Sequence, residues 1–250
     1  MNLMIAISLN SLYKYLILLF FILSPVLVKA QEDDNAAADT SAAQERPALP
    51  KRYYLFSPRL SVTVPHPMGN TSFKKSFVGI YEISVGLNAY LYKGIFIGGT
   101  YKTGLLKITE NRIPDYNASM YINNAGVKLG TDAYVGEKNR IVFSAAVTAG
   151  KNWTSYNGLV AKDSSKVSPS NYSCFYVEPE VNLYFLIESN FGIGATLSYS
   201  IFGTNFDPYA LSLDDWTQFG TKNSGATQYL SFGFGFYYSF LKKDKQRRGY

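Results

Sequence analysis

The sequence has very little with which to hold a metal or close a disulfide, with one cysteine, Cys174, and one histidine, His66, in 250 residues. A disulfide framework within the chain is excluded, and so are most multi-ligand zinc and haem sites. Charge is also scarce, at 17% of residues against about 25% in an average soluble domain. A surface so poor in charge is ill suited to water. Beyond the amino terminus no uninterrupted apolar run is long enough to cross a membrane as a helix, which takes about 20 residues. What the chain has in abundance is aromatic, with 21 Tyr and 17 Phe within an apolar content of 47%. That content argues against disorder for the bulk of the chain.

The ends differ from the middle. Lys14 precedes the run YLILLFFILSPVLV, residues 15–28, which Pro25 interrupts and which is too short to span. It reads as a secretory signal peptide over residues 1–30, with cleavage expected after the small residue Ala30. Residues 31–51 follow as an acidic, Ala-rich leader with too few bulky apolar groups to order itself. The carboxyl end, residues 242–250, is a short tail with Lys242, Lys243, Lys245, Arg247 and Arg248 against Asp244. A nucleic-acid partner is not expected, because this charge sits in one tail of an exported chain.

Between the two ends the hydrophobic period is two. In the last segment Leu230, Phe232, Phe234, Phe236, Tyr238 and Phe240 alternate with Ser231, Gly233, Gly235, Tyr237 and Ser239. One side is greasy and the other small or polar, as in a half-buried strand. Read this way, the chain yields eight strands at about 53–64, 77–92, 95–108, 119–136, 140–154, 172–188, 191–204 and 227–241. Tight turns near Lys93-Gly94, residues 136–139 and residues 188–190 alternate with longer segments near 65–76, 109–118, 155–171 and 205–226. Short turns at one end and long loops at the other are the pattern of an outer-membrane barrel, with the turns periplasmic and the loops extracellular. The expected fold is therefore all-β, an eight-stranded antiparallel up-and-down transmembrane β-barrel over residues 52–241. An even strand count puts leader and tail together in the periplasm.

The charged residues separate this from a soluble eight-stranded barrel. Opposite the apolar rows lie Arg59, Glu82, Lys102, Lys128, Asp132, Arg140, Glu178 and Glu180, four of each sign. In a soluble barrel these would have to serve as the whole outer face. In a membrane barrel the apolar row meets lipid, where a charge costs about 2–4 kcal/mol at the midplane, and the ions pair inside. Glu82, Lys102, Lys128, Glu178 and Glu180 are expected to form one ion-pair network, with Arg59 and Asp132 nearer the turns. Aromatics on the apolar parity form two groups, Tyr101, Tyr121, Trp153 and Tyr199 toward the loops and Phe185, Phe191, Tyr238 and Phe240 toward the turns. With these features the chain resembles the small eight-stranded outer-membrane β-barrels of the OmpA and OmpX type. The resemblance implies outer-membrane lipid, lipopolysaccharide and the barrel-assembly machinery as partners. Such barrels often end on a carboxy-terminal aromatic, whereas here Phe240 is followed by ten more residues.

Chemistry is harder to find. His66, between Pro65 and Pro67, stands at the expected start of the first loop, and its conceivable partners, Asp163-Ser164-Ser165 and Asp214-Asp215, belong to other loops. A lipid-modifying enzyme built on His66 is the remote alternative; no catalytic, cofactor or metal residues are assigned. Asp207, Asp214 and Asp215 lack the close alternate spacing of a calcium loop. The expected role is structural or recognitive, through loops facing an extracellular or envelope protein. Tyr209, Trp216 and Phe219 of the long fourth loop are the recognition candidates. A small porin-like channel and an accessory barrel of a secretion or assembly system are the alternatives.

Overall fold

The computed structural model describes residues 54–92, 94–108, 116–135, 140–160, 165–166, 171–188, 190–206 and 225–241. The expected signal peptide, leader and tail lie outside these residues, as does 207–224 with Tyr209, Trp216 and Phe219. The elements in chain order are β1 (Tyr54–Gly69), α1 (Thr71–Ser76), β2 (Phe77–Tyr92), β3 (Ile95–Ile108), β4 (Tyr116–Val135), β5 (Ile141–Val160), β6 (Ser165–Lys166), β7 (Asn171–Leu186), β8 (Phe191–Phe202), β9 (Thr227–Tyr238) and β10 (Phe240–Leu241). The long strands pair antiparallel with their sequence neighbours, and β9 returns to β1 from Arg59↔Tyr237 to Gly69↔Thr227. The sheet closes. Eight long strands make the barrel, while the two-residue β6 extends the end of β5 and β10 continues the seam beside β1 at Phe56↔Phe240.

The shortest long strands have 12 residues and the longest 20, more than the 9–11 that a tilted strand needs to cross the hydrocarbon. Among the described residues no helix is long and apolar enough to cross. Side-chain parity sorts the two faces as the period-two pattern requires. Outward stand Val85, Leu87, Val127, Leu129, Phe232 and Phe234, the last 73% exposed. Inward stand the charged and hydroxyl-bearing rows.

Several boundaries differ from the sequence reading: at the loop end β1, β4, β5 and β7 run further than expected, while β8 stops at Phe202, two residues short. β1 runs on to Gly69, so His66 lies within a strand, and the remainder of the expected 65–76 loop contains the helix α1. β4 begins at Tyr116, and β5 runs to Val160, so the β4–β5 ladder takes in residues 116–118 and 155–160 of the expected 109–118 and 155–171 loops. The reason is that backbone pairing continues after the membrane-facing apolar period has ended. Asn, Ser, Thr and Tyr pair as readily as Val above the lipid, but they no longer alternate in hydropathy. Beyond Tyr238 the last strand breaks at Ser239, whose N–H turns to donate to the Asn190 carbonyl at 2.8 Å.

Turn chemistry explains the other end. Gly94 takes φ +84°, and a Cβ there would stand 2.4 Å from the Asp132 carbonyl oxygen, which only glycine avoids. The close approach fixes β3 against β4, where the Asp132 N–H donates to the Gly94 carbonyl at 2.9 Å.

Candidate functional site

The barrel interior is filled in three layers. At the loop end, Phe73 and Phe77 join Leu106, Ile108, Met120 and Phe206 in an apolar cluster of buried side chains. Phe73 arrives on α1, which starts because Asn70 caps it. The Asn70 Oδ1 accepts from the Phe73 N–H at 3.0 Å, while its Nδ2 donates to the carbonyls of Phe206 at 3.3 Å and Gly225 at 3.2 Å. One fully buried amide thus ties the helix to two chain segments near the fourth loop. Asn70→Ala removes the cap and one donor to two carbonyls, and should destabilise the reconstituted barrel by about 1–3 kcal/mol. The urea unfolding midpoint, with exposed Lys107→Ala as the near-neutral comparison, measures this.

The middle layer is ionic, and it carries most of the charged residues picked out from the sequence. Lys102 Nζ lies 2.7 Å from Glu178 Oε2 and 3.0 Å from Glu82 Oε1. Thr63 donates to Glu82 at 3.0 Å, Ser200 donates to Glu178, and Lys102 also reaches Ser198 at 3.3 Å. Lys128 spans both oxygens of Glu180 at 3.0 and 2.8 Å, and Asn182 donates to the first of them at 2.7 Å. The five residues expected to form one network are thus divided into two ion-paired groups. All five are at most 7% exposed. Charges so buried are tolerable only when paired and hydrogen-bonded, as these are.

The third layer is at the turn end. Arg59 donates to Asp132 at 2.5 Å and to Ser144 at 2.6 Å, and Tyr90 donates to the same Asp132 oxygen. The Arg59 guanidinium carbon stands 4.7 Å from the Phe96 ring centroid and 5.4 Å from that of Tyr237. Tyr134 and Tyr237 share a hydrogen bond of 2.7 Å. Arg140 does not join this layer. It precedes the first residue of β5, at the turn, where the lumen has ended and its side chain is exposed.

The sequence reading set Tyr237 on the small or polar side of its strand but gave the inward tyrosines no role. Tyr90, Tyr134, Tyr184 and Tyr237 fill the turn end, and Tyr176 and Tyr229 the loop half. Their signal was strand parity, since Tyr176 and Tyr184 share the row of Glu178 and Glu180 and Tyr237 shares that of Ser231. Composition alone assigns tyrosine to the lipid interface, because a ring with a polar tip suits either place.

A barrel with aliphatic and aromatic side chains outside and paired ions inside is inverted relative to a soluble one, and a nonpolar solvent is what stabilises it. The architecture is that of a small outer-membrane barrel. Solved structures to which the chain is similar include Neisserial surface protein A (10% identity, 74% of this chain and 97% of that one, TM-score 0.46). The outer membrane protein OprG from Pseudomonas aeruginosa is also similar (11% identity, 76% and 98%, TM-score 0.46). So is Ail, the attachment invasion locus protein of Yersinia pestis (11% identity, 74% and 97%, TM-score 0.44). No family model and no curated protein matches the chain.

Among the described residues no group of three or more His, Cys, Asp or Glu could hold a metal ion. His66 is exposed, on the parity of Val62 and Val64 that faces away from the lumen. Its conceivable partners in 163–165 and 214–215 lie outside the described residues.

Proposed function

We propose that this chain is a non-enzymatic integral protein of a bacterial outer membrane, whose sealed barrel holds a set of extracellular loops for a structural or recognition role. The observation that carries the reading is the inverted barrel, which is apolar where it would meet water and charged where it is closed from water. The signal peptide expected at residues 1–30 supports export, and the alternation of short turns with longer connections supports loops outside and both chain ends in the periplasm. Barrel-assembly machinery and outer-leaflet lipid follow as partners, with an extracellular or envelope protein as the occupant of the loops. Tyr209, Trp216 and Phe219 are the residues proposed to meet it.

Conduction is the rival role that the interior bears on. The apolar cluster, the two ion-paired groups and the Arg59–tyrosine layer occupy successive levels of a lumen that eight strands make narrow. In a planar bilayer the purified protein should therefore give no steady conductance, whereas stable single-channel steps would establish the pore. Recognition is tested separately, by replacing 208–219 with a Gly/Ser linker. A partner that co-purifies with the full chain from native membranes should be lost while the barrel still folds, and full retention of every partner would remove this loop from recognition.

A further inference from the structure

The outer wall changes character where β4, β5 and β7 leave the apolar belt. Strand pairing sets their outward residues in rungs, of which Val127, Ala149 and Val177 make one and Ala125, Lys151 and Phe175 the next toward the loops. The two rungs above these hold no aliphatic side chain. The first has Asn123, Trp153 and Ser173, and the second Tyr121, Ser155 and Asn171. In this setting Trp153 is 42% exposed. It lines a shallow cleft of about 440 Å³ with Asn123, Ser155, Asn171 and Ser173, together with the inward Thr154 and Tyr172.

Two contacts arrange the site. Tyr101, on β3, donates to the Asn123 Oδ1 at 3.0 Å, which leaves the Asn123 Nδ2 to donate elsewhere. Lys151 Nζ reaches up from the rung below to stand over the indole, 5.5 Å from the Trp153 ring centroid. One face of the ring is thus covered and the other is left to the cleft. An aromatic ring at the edge of the hydrocarbon serves as an interfacial anchor, but that role asks nothing of its neighbours. Here they are two carboxamides and two hydroxyls, all able to donate and to accept.

These groups select among ligands. A lipid chain has no use for them. A phosphorylated or sulfated ligand would call for a cluster of cations, and Lys151, held over the indole, is the one charged side chain in these four rungs. The pyranose ring of a neutral sugar uses both features of the site. Its hydroxyls pair with amides and hydroxyls, and the slightly positive C–H groups of one face lie on the negative face of an indole. The cleft also falls within the size range of small-ligand pockets. We propose that it binds a neutral saccharide unit of a glycan met outside the cell, stacked on Trp153 and held by Asn123, Asn171 and Ser173. The site is separate from the fourth loop, and the inference rests on the outer-membrane reading only for the side on which the cleft opens.

The test is a printed array of neutral oligosaccharides built from galactose, glucose, mannose and their N-acetylamino forms, probed with the purified full barrel in a detergent without a sugar headgroup. At least one glycan should bind, and calorimetric titration then gives its affinity. Trp153→Ala should weaken that affinity at least about tenfold, as loss of an aromatic anchor does, with Asn171→Ala/Ser173→Ala intermediate. Tyr238→Ala, which removes an exposed aromatic at the turn end, should leave it unchanged. Four results would overturn the site: no glycan bound, equal affinity in Trp153→Ala, equal weakening by Tyr238→Ala, which means general adhesion of exposed rings, or displacement by the delipidated core oligosaccharide of lipopolysaccharide, which would make the ligand the cell's own envelope. Folding of each variant is read from its heat-modifiable electrophoretic mobility. Should Trp153→Ala not fold, Asn171→Ala/Ser173→Ala is held to the same comparison. Binding in detergent does not depend on orientation, which protease applied to intact cells reads independently, so failure of the saccharide site and failure of the membrane reading are told apart.

Discussion

Lys102→Met is expected to destabilise the folded barrel by about 3–5 kcal/mol, the usual cost of breaking a buried ion pair by removing one partner. Lys102 is the single ammonium between Glu82 and Glu178, at 3.0 and 2.7 Å, and both carboxylates are at most 2% exposed. Without it two carboxylates face each other across a lumen that water enters poorly. The destabilisation should be read as a lowered unfolding midpoint in urea, and it should far exceed that of Lys107→Ala, whose side chain is exposed. Adding Glu82→Gln and Glu178→Gln to Lys102→Met should recover most of the loss, because neutral amides remove the uncompensated charge. A midpoint unchanged by Lys102→Met would mean that the lumen is wet and that the ion pairs contribute little.

Phe73→Ala is the second large effect, expected to cost about 3–5 kcal/mol as a buried aromatic truncation. Phe73 is fully buried, with its ring centroid 5.5 Å from that of Phe77 and 5.9 Å from that of Phe206. The cavity left behind lies at the loop end of the lumen, so the variant should loosen the apolar plug as well as the fold. Cys174 reports on this directly, since it is the only thiol and packs against the same cluster. In folded Phe73→Ala, maleimide should label Cys174 faster than in the parent protein. Equal labelling rates would mean that α1 does not seal this end.

Much of the architecture was legible without coordinates, for a reason that belongs to membrane barrels. A strand that crosses lipid must alternate between a solvent that refuses charge and an interior that accepts it, and that requirement writes itself into every second residue. Leu230 to Phe240 shows it in the last strand. The eight charged residues showed it in reverse, and seven of them, Arg59, Glu82, Lys102, Lys128, Asp132, Glu178 and Glu180, face the lumen in ion pairs, while Arg140 does not. Parity by itself therefore determined strand number, facing and the charged rows.

Partner choice was decided by tertiary structure. Which lysine meets which carboxylate depends on the stagger between strands, and a shift of two residues keeps every face while changing each pairing, so one expected network became two groups. Above the membrane the alternation has no solvent to enforce it, and pairing energy alone carried β5 to Val160 and β1 to Gly69. The short helix α1 carries no period long enough to read, yet it brings Phe73 into the barrel mouth and Lys74 and Lys75 to its rim. Likewise β1 keeps its ladder to β9 as far as Gly69 but loses the one to β2 after Thr63, below Pro65 and Pro67, a difference that exists only once the strand has two neighbours.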